Sequence, residues 1–127
     1  MHTSFYASLF GLLFIGLSVR TLRLRAKLGI PIGDAGNQQL LRAARVHANF
    51  AEYVPLGLLL IYFAELRGAS AGFIHILCLG LLAGRLSHAY GVSQLNEKPG
   101  WRIFGTAMTL GAIAVTSAGL LFSRAAA

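Results

Sequence analysis

The chain is short and apolar, with 127 residues of which 56 % are hydrophobic and only 12 % are charged. Soluble domains carry about 25 % charged residues, so the composition indicates a membrane protein, and the length suits a single domain over residues 1–127. The net charge of +7 does not indicate a nucleic-acid partner, because the basic residues cluster beside apolar segments, where they act as topology signals and lipid-headgroup contacts. A single cysteine, Cys78, excludes an intrachain disulfide and a cysteine-based metal cluster.

Four apolar segments are long enough to cross a bilayer, which requires about 20 residues per helix. In chain order, we predict spans over residues 4–22, 38–66, 71–91 and 101–122. The glycines and proline of residues 28–39 predict a loop, in which Asp34 or Asn37 caps the second helix. The link over residues 67–72 is so short that the second and third spans form an antiparallel hairpin. The sequence therefore predicts an all-α, integral membrane four-helix bundle.

The second span begins with a polar stripe. Arg42, Arg45, Asn49 and Glu52 stand at i, i+3, i+7 and i+10, which places them along one helix face. At about 1.5 Å per residue, Arg45 and Glu52 are about 10 Å apart along the axis. They are too far apart to pair with each other, and an extended polar ligand would span the distance. Pro55 lies well inside the same helix and is a candidate kink.

The third and fourth spans also carry polar groups at one end, among them Arg85, His88 and Arg102. Charges at membrane depth are unfavourable and usually face a protein interior or a water-filled cavity. Two interpretations stay open on spacing alone: an interhelical ion-pair network that fixes the bundle, or a ligand site. His75, in the middle of the third span, is interpreted as a packed interhelical histidine. His88 has no carboxylate or cysteine at ligand spacing, so no metal site is predicted.

Two motifs resemble a known family. The segment RVHANFAEYVP, residues 45–55, resembles the second-helix motif of the MAPEG family, the membrane-associated proteins of eicosanoid and glutathione metabolism. The segment AGRLSHAYG, residues 83–91, and the fourth helix with its early arginine are similar as well. The resemblance covers essentially the whole chain and is greatest to the small bacterial inner-membrane members. In this chain His88 and Val92 stand where the family's synthases have tyrosines on the ligand face of the third helix.

The resemblance implies a homotrimer in the membrane, with glutathione as thiol substrate and no metal, and an activity of the transferase or peroxidase type on a lipophilic small molecule. Arg102 is the matching candidate for the catalytic cation that stabilises the thiolate, with Lys98 as a competing cation. Because the family also contains non-catalytic lipid-binding members, a membrane lipid-binding or scaffold protein is the alternative. The residues that the resemblance marks for glutathione binding are Arg45, Asn49, Glu52, Tyr53, Arg85 and His88.

The basic residues also predict an orientation. The first and third loops with their helix ends hold most of the arginines and lysines, whereas the opposite side holds only Arg67 and Arg124. By the positive-inside rule both termini face the periplasm of a bacterial inner membrane, and the polar helix ends gather at the cytoplasmic side.

Reporter fusions test this orientation. We expect a fusion at Ala127 to give active alkaline phosphatase, because that enzyme needs the periplasm to fold, and a fusion in residues 28–37 to give a fluorescent cytoplasmic reporter. A cytoplasmic signal from Ala127 would contradict the orientation or the number of spans.

Overall fold

The structure, a computed structural model, describes residues 1–125 and the side chains up to Ser123, so Ala127 lies outside the described residues. Within this range the chain forms four α helices and no strand. All four are long and apolar enough to span a bilayer. The helices are α1 (His2–Leu28), α2 (Gln38–Leu66), α3 (Ala71–Ser93) and α4 (Pro99–Ala125).

The helix ends follow from local sequence signals. Asn37 caps α2, with its Oδ1 accepting a hydrogen bond from the Leu40 N–H at 2.9 Å. Asp34, the other predicted cap, instead accepts a hydrogen bond from the Gly36 N–H inside the loop. Ser70 caps α3, and Gly29 ends α1 in the left-handed conformation at φ 67°.

The observed α2 coincides with the predicted span 38–66, whereas the other three helices extend beyond the predicted spans. The largest difference is in α1, which continues six residues past residue 22, through the basic stretch to Leu28. Hydropathy places the end of a span where charges begin, but arginine, lysine and leucine are good helix formers in any surroundings. Arg25 fixes this extension, because its Nη1 donates hydrogen bonds to the carbonyl oxygens of Ile30 and Gly33 in the following loop.

The apolar core lies where α1, α2 and α3 meet, around Phe10, Phe50, Ile61, Ile74 and Leu81. Helix α4 packs mainly on α3 and also touches α2, while α1 and α4 do not contact each other within residues 1–125. Large apolar side chains also cover the outside of the bundle, as expected of a protein whose solvent is lipid.

A polar cluster joins the helices at the end where α1 begins. The carboxylate of Glu65, near the end of α2, accepts hydrogen bonds from the backbone N–H groups of His2 and Thr3, and so satisfies free donors of the α1 N-terminus. His75 of α3 lies with its Nδ1 2.8 Å from the Tyr6 hydroxyl of α1. The interhelical packing predicted for His75 is therefore confirmed.

Helices α3 and α4 approach each other closely through glycines. A Cβ built on Gly105 would lie 2.5 Å from the Gly84 carbonyl oxygen and 2.6 Å from the His88 backbone nitrogen. A Cβ on Gly91 would lie 2.7 Å from the Cβ of Trp101. Small residues allow this close approach of helix backbones in a membrane. The contact sets the position of His88, so the packing of two helices decides the geometry of the polar end of the bundle.

Gly105→Ala tests this contact. The added methyl group has to displace the α3 backbone, and we expect a loss of about 1–3 kcal/mol in the free energy of unfolding, as for overpacked cores. The matched control is Gly111→Ala on the same helix, where a Cβ meets nothing within 4 Å. Because alanine has the higher helix propensity, the control should equal or exceed the wild type in unfolding assays in detergent. Equal stabilities of the two variants would contradict the close contact.

Candidate functional site

The polar ends of α2, α3 and α4 enclose a cleft of about 500 Å³. Each helix contributes residues three or four apart, which is the spacing that puts side chains on one helix face. The volume falls in the range of small-molecule sites. The lining residues are Gln38, Leu41, Arg42, Arg45 and Asn49 of α2, His88 and Val92 of α3, Glu97 of the α3–α4 loop, and Arg102 and Thr106 of α4.

Glu97 is the acidic residue of the cleft, and it contacts two arginines from different helices. Arg42 Nη1 donates a hydrogen bond to Glu97 Oε2 at 2.9 Å and another to the Val92 carbonyl oxygen at 3.1 Å. Arg102 Nε lies 3.2 Å from Glu97 Oε1, as an ion pair without hydrogen-bond geometry. The side chain of Glu97 is only 11 % exposed, whereas that of Arg102 is 52 % exposed. One carboxylate therefore links the start of α2 to the start of α4.

Arg85 lies behind the cleft wall and is only 2 % exposed. Its Nη1 donates a hydrogen bond to Asn49 Oδ1 at 2.5 Å and a longer one to the Asn49 carbonyl oxygen at 3.4 Å. The guanidinium also lies over the Tyr53 ring, 5.7 Å from its centroid. Asn49 is thus held by Arg85 while its side chain lines the cleft, and Arg85 and Tyr53 support the site from inside the bundle.

His88 is buried and lines the cleft from α3. It also borders a small space between α1, α2 and α3, next to Phe50 and Arg85. Val92, one turn further on, is apolar, so His88 is the α3 group of the cleft wall that can donate or accept a hydrogen bond.

Glu52 and Lys98 lie outside the cleft lining, and both are exposed. Glu52 shares a face of α2 with Arg45 but is two turns further along the helix. Among residues 1–123, neither Arg45 nor Glu52 has an ion-pair partner. Of the predicted site residues, four line the cleft together: Arg45, Asn49, His88 and Arg102. Arg85 and Tyr53 lie behind the cleft wall. Glu52 is on the outer face of α2.

Two features of the cleft were not predicted from the sequence: the presence of Glu97 and the role of Arg42 as its partner. Glu97 lies in a loop that looked like a plain connection, and nothing local marks it as a site residue. The available signal was its rarity, since the whole chain has only four acidic residues and this one stands beside Lys98 at the arginine-rich end.

Together, three arginines and one carboxylate around a cleft suit an anionic or zwitterionic ligand, because guanidinium groups bind carboxylates through paired hydrogen bonds. The fold and the cleft thus define a class: a membrane protein of four apolar helices with a polar ligand-sized cleft at one end.

Comparison with known proteins identifies the family. Residues 3–122 match the MAPEG family. The chain is also 38 % identical over 109 residues to the inner membrane protein YecN of Escherichia coli K12, an alignment that covers 86 % of this chain and 82 % of that protein. YecN of Escherichia coli O6:H1 aligns with the same identity and coverage. This chain belongs to the MAPEG family, so the assignment predicted from the second-helix motif is confirmed.

Proposed function

We propose that the protein is a glutathione-dependent transferase or peroxidase that acts on a lipophilic electrophile at the cytoplasmic side of a bacterial inner membrane. The observation that carries this proposal is the convergence of Arg45, Asn49, His88 and Arg102 on one cleft. Family membership agrees with a role in glutathione or lipid metabolism. The E. coli relative is an inner membrane protein, which supports the inner membrane as the location.

Each proposed role follows from the chemistry of the side chain. Arg45 binds a carboxylate of the tripeptide, and the Asn49 amide and the His88 imidazole bond to its polar groups. Arg102, half-exposed on α4, lies beside the thiol and favours its ionised form. Arg85 and Tyr53 hold Asn49 in place rather than contacting the ligand directly.

Glu52 is the natural partner for the ammonium group of glutathione, but it faces outward from the bundle. A carboxylate in that position at membrane depth needs a protein surface opposite it. We therefore place the ligand site between subunits of a homotrimer, where the face of α2 that carries Arg45 and Glu52 meets a neighbour.

A stripe along α2 supports this assembly. Its residues are spaced alternately four and three apart, which is the repeat that packs one helix against another in a left-handed supercoil. In the protomer all of its members are exposed or half-exposed, so the stripe contributes nothing to the core of a single bundle. The members are Arg45, Asn49, Glu52, Leu56, Leu59, Phe63 and Leu66.

A second candidate function, non-catalytic lipid binding, is favoured by a different observation. An apolar groove of about 320 Å³ runs between α1 and α2, bordered by Phe10, Phe14, Phe50 and Pro55. Such a groove suits an acyl chain, and it carries no polar group for thiol chemistry.

The trimer is tested by mass and by cross-linking. We expect a detergent-corrected mass of three protomers. A cysteine placed at Leu59 on the stripe should form disulfide-linked dimers under mild oxidation, because equivalent positions meet near a three-fold axis. The matched control is Ile76→Cys on α3, since Ile76 is 71 % exposed, and the native Cys78 is buried. A monomeric mass, or equal cross-linking at both positions, would contradict assembly through α2.

The chemistry is tested at Arg102. If its charge stabilises the thiolate, Arg102→Leu should lower turnover with a chromogenic electrophile by about ten-fold or more and leave glutathione affinity nearly unchanged, because the interaction is made mainly with the reacting anion. The ultraviolet thiolate absorbance should fall in parallel. Lys98→Ala is the control, since Lys98 is exposed and outside the cleft lining.

A thiolate signal lost in Lys98→Ala and retained in Arg102→Leu would reassign the cation to Lys98. Assembled wild-type protein without any thiolate signal would lack the chemical step, and the lipid-binding function would then replace the enzymatic one.

A further inference from the structure

Glu97 occupies a place that a ligand's carboxylate would also suit. It contacts Arg42 from α2 and Arg102 from α4, so the two guanidinium groups are already spaced to share one carboxylate. Both arginines line the cleft, as does Glu97 itself. The geometry of this pair of contacts is that of a bound anion, except that the anion belongs to the protein.

The two contacts of Glu97 are unequal. Its Oε2 accepts a hydrogen bond from Arg42, whereas its Oε1 is near Arg102 without hydrogen-bond geometry and has no other partner in the described structure. Glu97 is carried by the loop of residues 94–98, and its partners are carried by helices. The carboxylate can therefore be exchanged at Arg102 by a shift of the loop, without moving α2 or α4.

We propose that Glu97 is an internal anion that contacts both arginines until a ligand's carboxylate displaces it from Arg42, and that it so makes the cleft selective for carboxylate ligands. Replacing one carboxylate by another is nearly balanced in free energy, because the Arg42 guanidinium keeps a partner of the same geometry. Chloride, a single spherical ion, cannot replace the two carboxylate oxygens that reach Arg42 and Arg102 together, so Glu97 acts against weak anions as well as tuning the affinity for carboxylates.

This inference rests on the proposed function only for the identity of the ligand. The inference adds a consequence for Arg102. Glu97 keeps the Arg102 guanidinium from other anions, and the guanidinium becomes available to a thiolate when the ligand displaces Glu97. A purely structural Glu97 that only ties the loop to the helices would affect stability and leave the charge selectivity of binding unchanged.

The first experiment compares Glu97→Gln and Glu97→Asp with wild type in assembled, detergent-solubilised protein. The ligands are S-methylglutathione, which has two carboxylates, and its diethyl ester, which has none. Binding is followed by the fluorescence of Trp101, the single tryptophan, and checked by calorimetry. The charge-matched control is Asp34→Asn, because Asp34 contacts the N–H of Gly36 in its own loop and asparagine keeps that acceptor.

We expect Glu97→Gln to bind S-methylglutathione about 3- to 10-fold more tightly, the range expected for release of one part-buried ion pair. The affinity for the diester should change by less than about two-fold, and Glu97→Asp and Asp34→Asn should resemble wild type. If wild type binds S-methylglutathione, unchanged or weaker binding by folded Glu97→Gln would overturn the proposal. An equal gain for the diester would overturn it as well, since that gain would come from a loosened loop.

A second experiment does not depend on glutathione. Sulfate, a small dianion with acceptors for both guanidinium groups, should raise the unfolding temperature of Glu97→Gln more than that of wild type, because a ligand that binds only the folded state stabilises it. A sulfate effect without any S-methylglutathione binding would refute the proposed function and support the internal anion. Equal sulfate effects in the two proteins would refute the internal anion, whatever the glutathione result.

Discussion

A charged side chain in a bilayer must face protein, water or a ligand, and this constraint governs the polar end of the bundle. Arg85 meets it by burial against Asn49 and the Tyr53 ring. Arg42 and Arg102 meet it by sharing one carboxylate. Glu52 is left on the outer face of α2, and within the described side chains of one protomer neither Glu52 nor Arg45 of the cleft has an ion-pair partner. The same constraint therefore requires that these charged side chains find a partner outside the protomer.

The close contact of α3 and α4 fixes where the charged groups of the cleft lie relative to one another. Gly84 and Gly105 let the two backbones meet, and Gly91 packs against Trp101 at the end of the pair. Because the helices are already in contact there, a loop of only five residues joins them. That loop is too short to move far from the cleft, and it positions Glu97 between α2 and α4. A packing feature set by small residues thus determines which charges meet.

The sequence predicted the helices well because bilayer thickness and hydropathy act on each segment separately. The bounds of α2 agree with prediction since Asn37 and the Arg67–Ser70 link give local signals at both ends. The end of α1 was predicted too early, because charge marks where a membrane span ends and does not stop a helix. The family could be predicted for a related reason, since its second-helix motif lies in one continuous helix.

The pairings within the site were beyond prediction, since they depend on three helices at once. Nothing in the spacing of α2 shows that Asn49 accepts from Arg85, a residue 36 positions away. The partnership of Glu97 with Arg42 joins residues 55 positions apart and depends on the α3–α4 contact. Residues that act through tertiary contacts have no local pattern to mark them, which is why Glu97 was missed although its charge is rare in this chain.

The positions of the polar cleft and the apolar groove also constrain how a transferase could work on this fold. A transferase must bring a lipophilic electrophile to the thiol, but within one protomer the two spaces lie on different faces of α2. Asn49 lines the cleft and the next residue, Phe50, lines the groove, about 100° away around the helix. An electrophile bound in the groove is therefore separated from Arg102 by α2 itself. Under the proposed function, the apolar surface that a protomer offers to a lipophilic substrate next to its own Arg102 is that of α4, where Ile103 and Phe104 are exposed. The groove between α1 and α2 is then free to hold a membrane lipid, so the two candidate ligands need not compete for one site.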